Sequence, residues 1–493
     1  MILDIKRILI LILLSAGSGF SFAQVLEAPA DILTAEFHKQ RREAFRQKLP
    51  ENSVAVFFAN PVRNRANDVD YLYHQDPNFY YLTGYREPNA VLLIFKESQQ
   101  KKDGSFYNEI IFVQPRNKMA EMWTGKRLGD EGVKEVLGFT EAFENTKFDK
   151  YQLDFSTFNK VIFNDFYNDV RDEEKDNGDL YNLIEQFKGK VNYPGANKSL
   201  EIEPKRANLD TKSLEKIMDD LRGIKTPEEI ELLKKAIQIS VIGQVEVMKA
   251  MKPGMSETEI QGIHEFVFKK FGSEYEGYPS IVGAGNNGCI LHYIDNQKPE
   301  IQNDELILMD LGAEYHGYTA DITRTIPVNG KFSPEQKAIY DLVYKAQQAA
   351  IEASKAGVTW KSTSDLARRI INQGLYELGI IPAIDAHHMY YPHGLGHHIG
   401  LDVHDSGNKD VFEPGMVFTV EPGIYIPEGS RCDKKWWKIA VRIEDDVMIG
   451  EDGNPILLSG YAPRTSEEIE KMMEQPSVLD QFILPDLKES MSK

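Results

Sequence analysis

Four carboxylates and a group of histidines are the residues in this chain whose types and spacing could do chemistry. Glu305 to Val328 reads ELILMDLGAEYHGYTADITRTIPV, two β-prone runs flanking a turn-like Glu314-Tyr315-His316-Gly317, which predicts a hairpin. A turn about Tyr315 and His316 sets Asp310 directly opposite Asp321, where like charges destabilise a sheet. Burial among Leu306, Leu308 and Ile322 would cost more still, and a cation between the two carboxylates would remove the conflict. Taken alone, two aspartates at strand ends facing water fit the pattern equally well.

Of the 11 histidines in the chain, His393, His397, His398 and His404 crowd into Tyr391 to Asp405. The glycines between His393 and His397 argue against a regular helix. Scattered surface histidines are the plain alternative, but crowding near glycine turns favours a site. Glu421 and Glu444 each lie in or at the end of an apolar β-prone run, Phe418 to Tyr425 and Ile439 to Asp446. Glutamate is seldom buried unpaired, although a solvent-facing strand, or an Arg442–Glu444 pair on one strand face, accounts for either residue. Combined, Asp310, Asp321, Glu421, Glu444 and His397 form an oxygen-rich set with one nitrogen. Two divalent ions would balance the charge of four carboxylates. Such donors suit Mn²⁺ or Co²⁺ better than a thiolate-rich zinc site, and paired ions of this kind act in hydrolysis.

Gly283 to Gly288 fits the GxGxxG pattern, with Asp310 downstream, but a dinucleotide loop must open a helix. A β-prone run, Cys289 to Tyr293, follows instead, so the glycines are expected to shape a turn that presents His292.

The elements that must position these residues fall into two parts. Between residues 30 and 205 a charged helix (Glu36 to Lys48) precedes β-prone runs at Val54–Phe58, Val91–Phe95, Ile110–Val113 and Val161–Phe163, which predicts an α/β domain. Asp169 to Lys175 reads as a surface loop, and Pro194-Gly195 and Pro204 mark a boundary. The second part, residues 212 to 472, opens with Thr226-Pro227 and Glu229, a capping box with proline in the first turn. Ile230, Leu233, Ile237 and Val241 share one face of that helix. Pro253-Gly254 ends it, and Ser256 with Glu259 caps the next. Ser333 to Gln336 repeats this grammar and Gly357 ends the repeat, before a further helix starts near Ser362 to Asp365. An internal duplication follows, with a site between related halves. Residues 473–493 form a tail.

Lys6 and Arg7, the apolar run Ile8 to Leu14, and Ser21-Phe22-Ala23 have the layout of a secretory leader, residues 1–23. The apolar run is far shorter than the roughly 20 residues that span a bilayer. The mature chain is therefore expected in a periplasm or outside the cell, without a membrane anchor. At 493 residues the chain exceeds one hydrophobic core. With 42% hydrophobic and 27% charged residues it reads as an ordinary globular protein. A net charge of −19 repels phosphate backbones, which makes nucleic acid a poor partner. Cys289 and Cys432 form no disulfide framework and are expected unpaired and buried.

These motifs carry a resemblance. Asn287–Tyr293 (NGCILHY), Met309–Thr325, His393–Asp405, Thr419–Tyr425 and Val441–Asp446 resemble those of the pita-bread metallopeptidases. Asp76–Ile94 (DPNFYYLTGYREPNAVLLI) and Glu121–Gly129 (EMWTGKRLG) resemble the N-terminal domain of the bacterial aminopeptidase P family. The resemblance implies an α/β (α+β) protein with a C-terminal pita-bread domain. It implies a two-metal exopeptidase, with Mn²⁺ expected and Co²⁺ or Zn²⁺ as alternatives, that removes a residue preceding proline from peptides. Asp321 and Glu444 match the carboxylates that bridge both ions. Asp310 matches a terminal ligand of one ion, and His397 and Glu421 those of the other. Glu421 also matches the acceptor of the attacking water's proton. His292 and His404 match histidines that bind the scissile carbonyl. His393 and Arg442 match the proline side of the pocket, with Tyr425 nearby. A homo-oligomer is the expected assembly. Prolidases, the nearest rival, carry an arginine before the EPGIY-like motif for the dipeptide carboxylate. Asp405 to Val420 holds only Lys409, which favours longer peptides. A dead peptide-binding module on the same fold would have lost ligands, and all five are present.

Overall fold

Thr34 accepts a hydrogen bond from the Phe37 amide and so starts the first helix, Ala35–Lys48. It stands at the front of a computed structural model that describes residues 31–193, 208–482 and 484. The leader, Pro194, Gly195 and Pro204, and the tail from 485 onward lie outside the described residues. Among those described, no helix is long and apolar enough to cross a membrane.

The expected strands of the first part assemble into a mixed sheet in the order Ala142–Glu144, Phe106–Val113, Val91–Gln100, Ser53–Phe58, Lys160–Ile162, Leu209–Asp210. The edge strand Leu209–Asp210 carries this sheet past residue 205. Alternation along the central strands feeds two cores. Ala55, Phe57, Leu92 and Ile94 pack with Phe37 and Phe45 of the first helix. Val54, Val56, Leu93 and Phe95 pack with Leu183 and Phe187 of the helix Leu180–Val191. Asp169 to Lys175 holds no helix or strand, as its composition predicts.

In the second part the capping boxes form as read. Thr226 and Glu229 open Pro227–Ala250, and Ser333 and Gln336 open Pro334–Ala353. Each helix is followed by a partner, Glu257–Lys270 and Trp360–Glu377, and then by antiparallel strands that bear the acidic residues. This is the expected duplication, and the two halves make the pita-bread fold. Trp360–Glu377 begins slightly earlier than the serine-rich stretch suggested, because Thr359 provides its cap.

Two expectations need correction. The hairpin turns on His316 and Gly317, at φ +51° and +90°, not on Tyr315 and His316. Tight hairpin turns need positive φ at both central residues, and Gly317 supplies one without strain. This shifts the register, so Asp310 pairs with Thr323 and Leu311 with Ile322. Asp321 therefore sits diagonally from Asp310. Gly312, where a Cβ would lie 1.9 Å from Ala320 O, faces the bend that carries Asp321. Cys289 to Tyr293 is not a strand: a 3₁₀ turn over Gly285–Cys289 ends there, and His292 follows on an irregular segment. Both cysteines are unpaired and only partly buried.

A Cβ on Gly317 would also approach Leu401 and Tyr80 side-chain carbons at 3.1 and 3.2 Å. Gly317→Val should therefore lower unfolding free energy by roughly 1–3 kcal/mol, read by urea denaturation. An unchanged midpoint would mean that the turn tolerates a side chain.

Candidate metal centre

Each half delivers its carboxylates at or beside a break in strand pairing. In the second half, the ladder pairs Val420 with Asp445 and resumes at Gly423 with Arg442. Glu421 and Glu444 are left facing each other across that interruption. In the first half, Asp310 is the last residue but one of the buried strand Leu306–Leu311, still paired with Thr323, and Asp321 lies in the gap before Ile322–Pro327. The Glu444 amide bonds to Thr323 O at 3.1 Å, which draws the two halves together.

His397 arrives on a segment laid along the strand Val417–Val420: Thr419 N donates to His397 O at 2.8 Å and Glu421 N to Leu395 O at 2.8 Å. Gly396 is required there, since a Cβ would lie 2.0 Å from Thr419 O. His397 Nδ1 faces His398 O at 3.1 Å, which makes it the donor. Nε2 is thereby left as a lone pair 3.5 Å from Asp321 and 3.4 Å from Glu421. Burial and the nearby His404 lower the ring from 6.5 to about 4, so it is neutral at pH 7. Asp321, His397 and Glu444 present ligand atoms all within 4.8 Å of one another.

Burial pushes Asp321, Glu444 and Glu421 above the usual carboxylate range. Glu444 and Asp310 reinforce the shift at Asp321, and Glu421 and Asp310 reinforce it at Glu444. Glu421 is raised to about 7 by burial although Arg442 opposes the shift. For Asp310, burial acts upward but is outweighed by the Arg442 guanidinium, 2.6 Å away, and by the Tyr278 hydroxyl, so its carboxyl stays low. Carboxyls that retain protons because they are buried beside one another are suited to exchange them for cations. Oxygen donors with one neutral imidazole fit divalent ions.

All the expected residues except Tyr425 line one cavity of about 640 Å³. His404 stacks edge-on against His397, ring centroids 4.3 Å apart. His393 Nδ1 donates to Gly394 O at 2.8 Å, so its Nε2 accepts from the Tyr425 hydroxyl at 2.8 Å. Tyr425, buried behind, in turn accepts from Arg442 Nη1 at 3.0 Å. It thus supports the wall without lining it.

Sequence reading missed several residues. The Tyr278 hydroxyl lies 2.5 Å from Asp310 and 2.6 Å from Asp321 and spans both carboxylates. Two buried glutamines do equivalent work in the two halves. Gln244 Nε2 donates to Met309 O at 3.1 Å and Ile322 O at 2.7 Å, next to Asp310 and Asp321. Gln347 Nε2 donates to Val420 O and Ile443 O, both at 3.0 Å, next to Glu421 and Glu444. Fully buried Arg324 donates to Glu444 O at 2.6 Å and to Asp445 at 2.7 Å. The signal available was a glutamine inside each capped, apolar helix, where an amide needs a buried partner.

A cleft between duplicated halves, each contributing carboxylates at a strand break, defines a pita-bread metallopeptidase. Residues 231–451 match the model of metallopeptidase family M24, and residues 38–162 that of the aminopeptidase P N-terminal domain. The chain belongs to the aminopeptidase P group of that family. It is similar to a Xaa-Pro aminopeptidase of Haemophilus influenzae, 38% identical over 454 residues, 89% of this chain and 97% of the relative. The Escherichia coli Xaa-Pro aminopeptidase is 35% identical over 464 residues, 90% and 98% of the two chains. The solved structure of aminopeptidase P from E. coli with the inhibitor Pro-Leu matches with a TM-score of 0.77 at 32% identity, covering 90% of this chain and 98% of that one.

The raised carboxyls give a pH dependence. Asp321, Glu444 and Glu421 hold protons in the folded chain above the ordinary values of 3.8 and 4.5. At these three carboxyls the metal-free fold binds more protons than the unfolded chain, so the stability they contribute falls as pH rises from about 4 through 7. In chelator, Asp321→Asn should raise Tm over the parent chain more at pH 8 than at pH 5, and Mn²⁺ should raise the parent's Tm more at pH 8. An equal rise at both values would contradict the assignment.

Proposed function

We propose that this chain is a metal-dependent exopeptidase that hydrolyses the bond between an N-terminal residue and a following proline. The observation that carries this reading is the convergence of Asp310, Asp321, His397, Glu421 and Glu444 in one cavity, with His292 and His404 at its rim. Asp321 and Glu444 would bridge two divalent ions. Asp310 would complete one ion, and His397 with Glu421 the other, with Mn²⁺ the ion best suited to this donor set. Bound there, the ions would acidify water and polarise a carbonyl.

The remaining work belongs to side chains. Glu421 accepts the proton of the attacking water. His292 and His404 donate to the scissile carbonyl oxygen as it gains charge, which is where fixed donors contribute most. Proline has no N–H and a fixed φ, so a site for it needs a shaped wall and not an acceptor. His393, held by Tyr425 and Arg442, supplies that wall. The free amine is read beside Asp310, which Arg442 keeps ionised. Retention of all five ligand-type residues supports an active enzyme over a binding module. The basic, apolar, small-residue leader supports export.

Arg-Pro-Pro and Ala-Pro-Ala should lose their first residue in the presence of Mn²⁺. Ala-Ala-Ala and N-acetylated Ala-Pro-Ala should remain nearly intact. Rapid cleavage of the acetylated peptide would end the exopeptidase reading. His404→Ala should keep both metals while kcat falls by roughly 10²–10³; loss of metal in that variant would make His404 a ligand instead.

A further inference from the structure

His404 lies on an irregular segment between Gly400 and Phe412, with no strand or helix to fix it. Its amide makes one long contact, 3.3 Å to Asp402 Oδ1. The next residue is held far more firmly. The Asp405 side chain is 1% exposed, and its two oxygens are divided between two buried cations. Oδ1 accepts from Arg222 Nη2, and Oδ2 accepts from Lys225 Nζ at 2.7 Å. The Asp405 amide also donates to His398 O at 2.9 Å. The packing admits nothing more: a Cβ on Gly400 would lie 2.1 Å from Asp405 Oδ2, and one on Gly223 would lie 3.2 Å from the Gly407 Cα.

Neither cation belongs to the histidine loop. Arg222 ends the helix Ser213–Arg222, and Lys225 follows three residues on, in the segment that joins the N-terminal part to the catalytic part. Arg222 spends its other terminal nitrogen on the N-terminal part, donating from Nη1 to Asn78 Oδ1 at 2.7 Å. The Tyr81 hydroxyl binds Leu221 O at 3.1 Å beside it. A continuous chain of buried polar contacts therefore runs from the short helix Pro77–Thr83 through Arg222 and Asp405 to the residue adjoining His404.

We propose that Asp405 is a positioning residue for His404, and that Arg222 makes the geometry of this loop depend on the docked N-terminal domain. A buried carboxylate shared by two cations has one low-energy arrangement, and removing a partner leaves a charge unpaired. That makes it a rigid anchor for a loop with no strand or helix around His404. A donor to a developing oxyanion must be placed closely, since an error of about 1 Å can cost on the order of 10²-fold in rate. The proposal rests on the carbonyl-binding reading of His404.

Asn78→Ala, in the full chain loaded with Mn²⁺, removes only the Asn78 acceptor from Arg222. Turnover of Ala-Pro-Ala should fall roughly tenfold in kcat, with KM and two-metal stoichiometry unchanged, and Asn78→Asp, which keeps the acceptor, should restore it. Amide exchange at residues 401–410 should quicken. Arg222→Lys, which keeps the charge but loses the fork, should act in the same direction. In a His404→Ala background the effect of Asn78→Ala should vanish, because the two act through one group. The same fold-loss in both backgrounds, or an unaltered kcat in folded Asn78→Ala, overturns the proposal. No loss in His404→Ala alone would remove the reading of His404 beneath it.

Discussion

Asp310, Asp321, Glu421 and Glu444 are pressed into one cleft floor where water cannot screen them, and the surrounding structure is organised around their mutual repulsion. Three of the four are driven to hold protons. The fourth is kept ionised by Arg442. Left alone, such a cluster would push the two halves apart, because each half contributes carboxylates to it. The fold counters this with neutral donors aimed at the backbone beside each ligand, which add hydrogen bonds without adding charge. Gln244 and Gln347 do this for the two halves, from the first helix of each.

A second layer lies below. Arg324 is enclosed entirely and bonds to carbonyls of Thr323 and Glu444 as well as to Asp445. Asp445 is also held by Ser459 and Arg464, at 2.6 and 2.9 Å. Burial acts upward on its carboxyl, but the two arginines hold it low. The cleft carboxylates thus rest on a network in which Arg324 and Arg464 share Asp445. This separation leaves Asp321, Glu421 and Glu444 without an arginine or lysine partner and available to cations while the lower layer stays rigid.

Much of this was legible in the residues because local chemistry dictates it. Thr226 and Ser333 begin helices for reasons contained within four residues, and the apolar strands of the first part alternate as a sheet with two covered faces must. Five motifs carried the candidate site, and all of their singled-out residues lie in or directly behind one cavity. The register of the hairpin was not legible to one residue. It depends on His316 accepting positive φ, which hydrophobic pattern does not report. The run after the glycines failed as a strand because a buried 3₁₀ turn and the loop after it overrode its β-propensity. Tyr278, Gln244 and Arg324 were invisible for another reason. Their partners lie far off in sequence, and apart from the glutamine's place inside a capped apolar helix nothing in their own neighbourhoods distinguishes them from core or surface residues.

The seam between the halves has a consequence for how the molecule is made. The bond from Thr323 to Glu444 spans 121 residues, and the one from Arg442 to Asp310 spans 132. Contacts of that range close late, because the loop entropy between them must be lost first. No fragment that ends before Glu444 contains the complete ligand set. The full set is therefore brought together only when the second half has docked on the first, so ions bound by all four carboxylates would enter a nearly finished protein. A divalent ion held by the full set would act as a latch on assembly, set after the last long-range strands have docked.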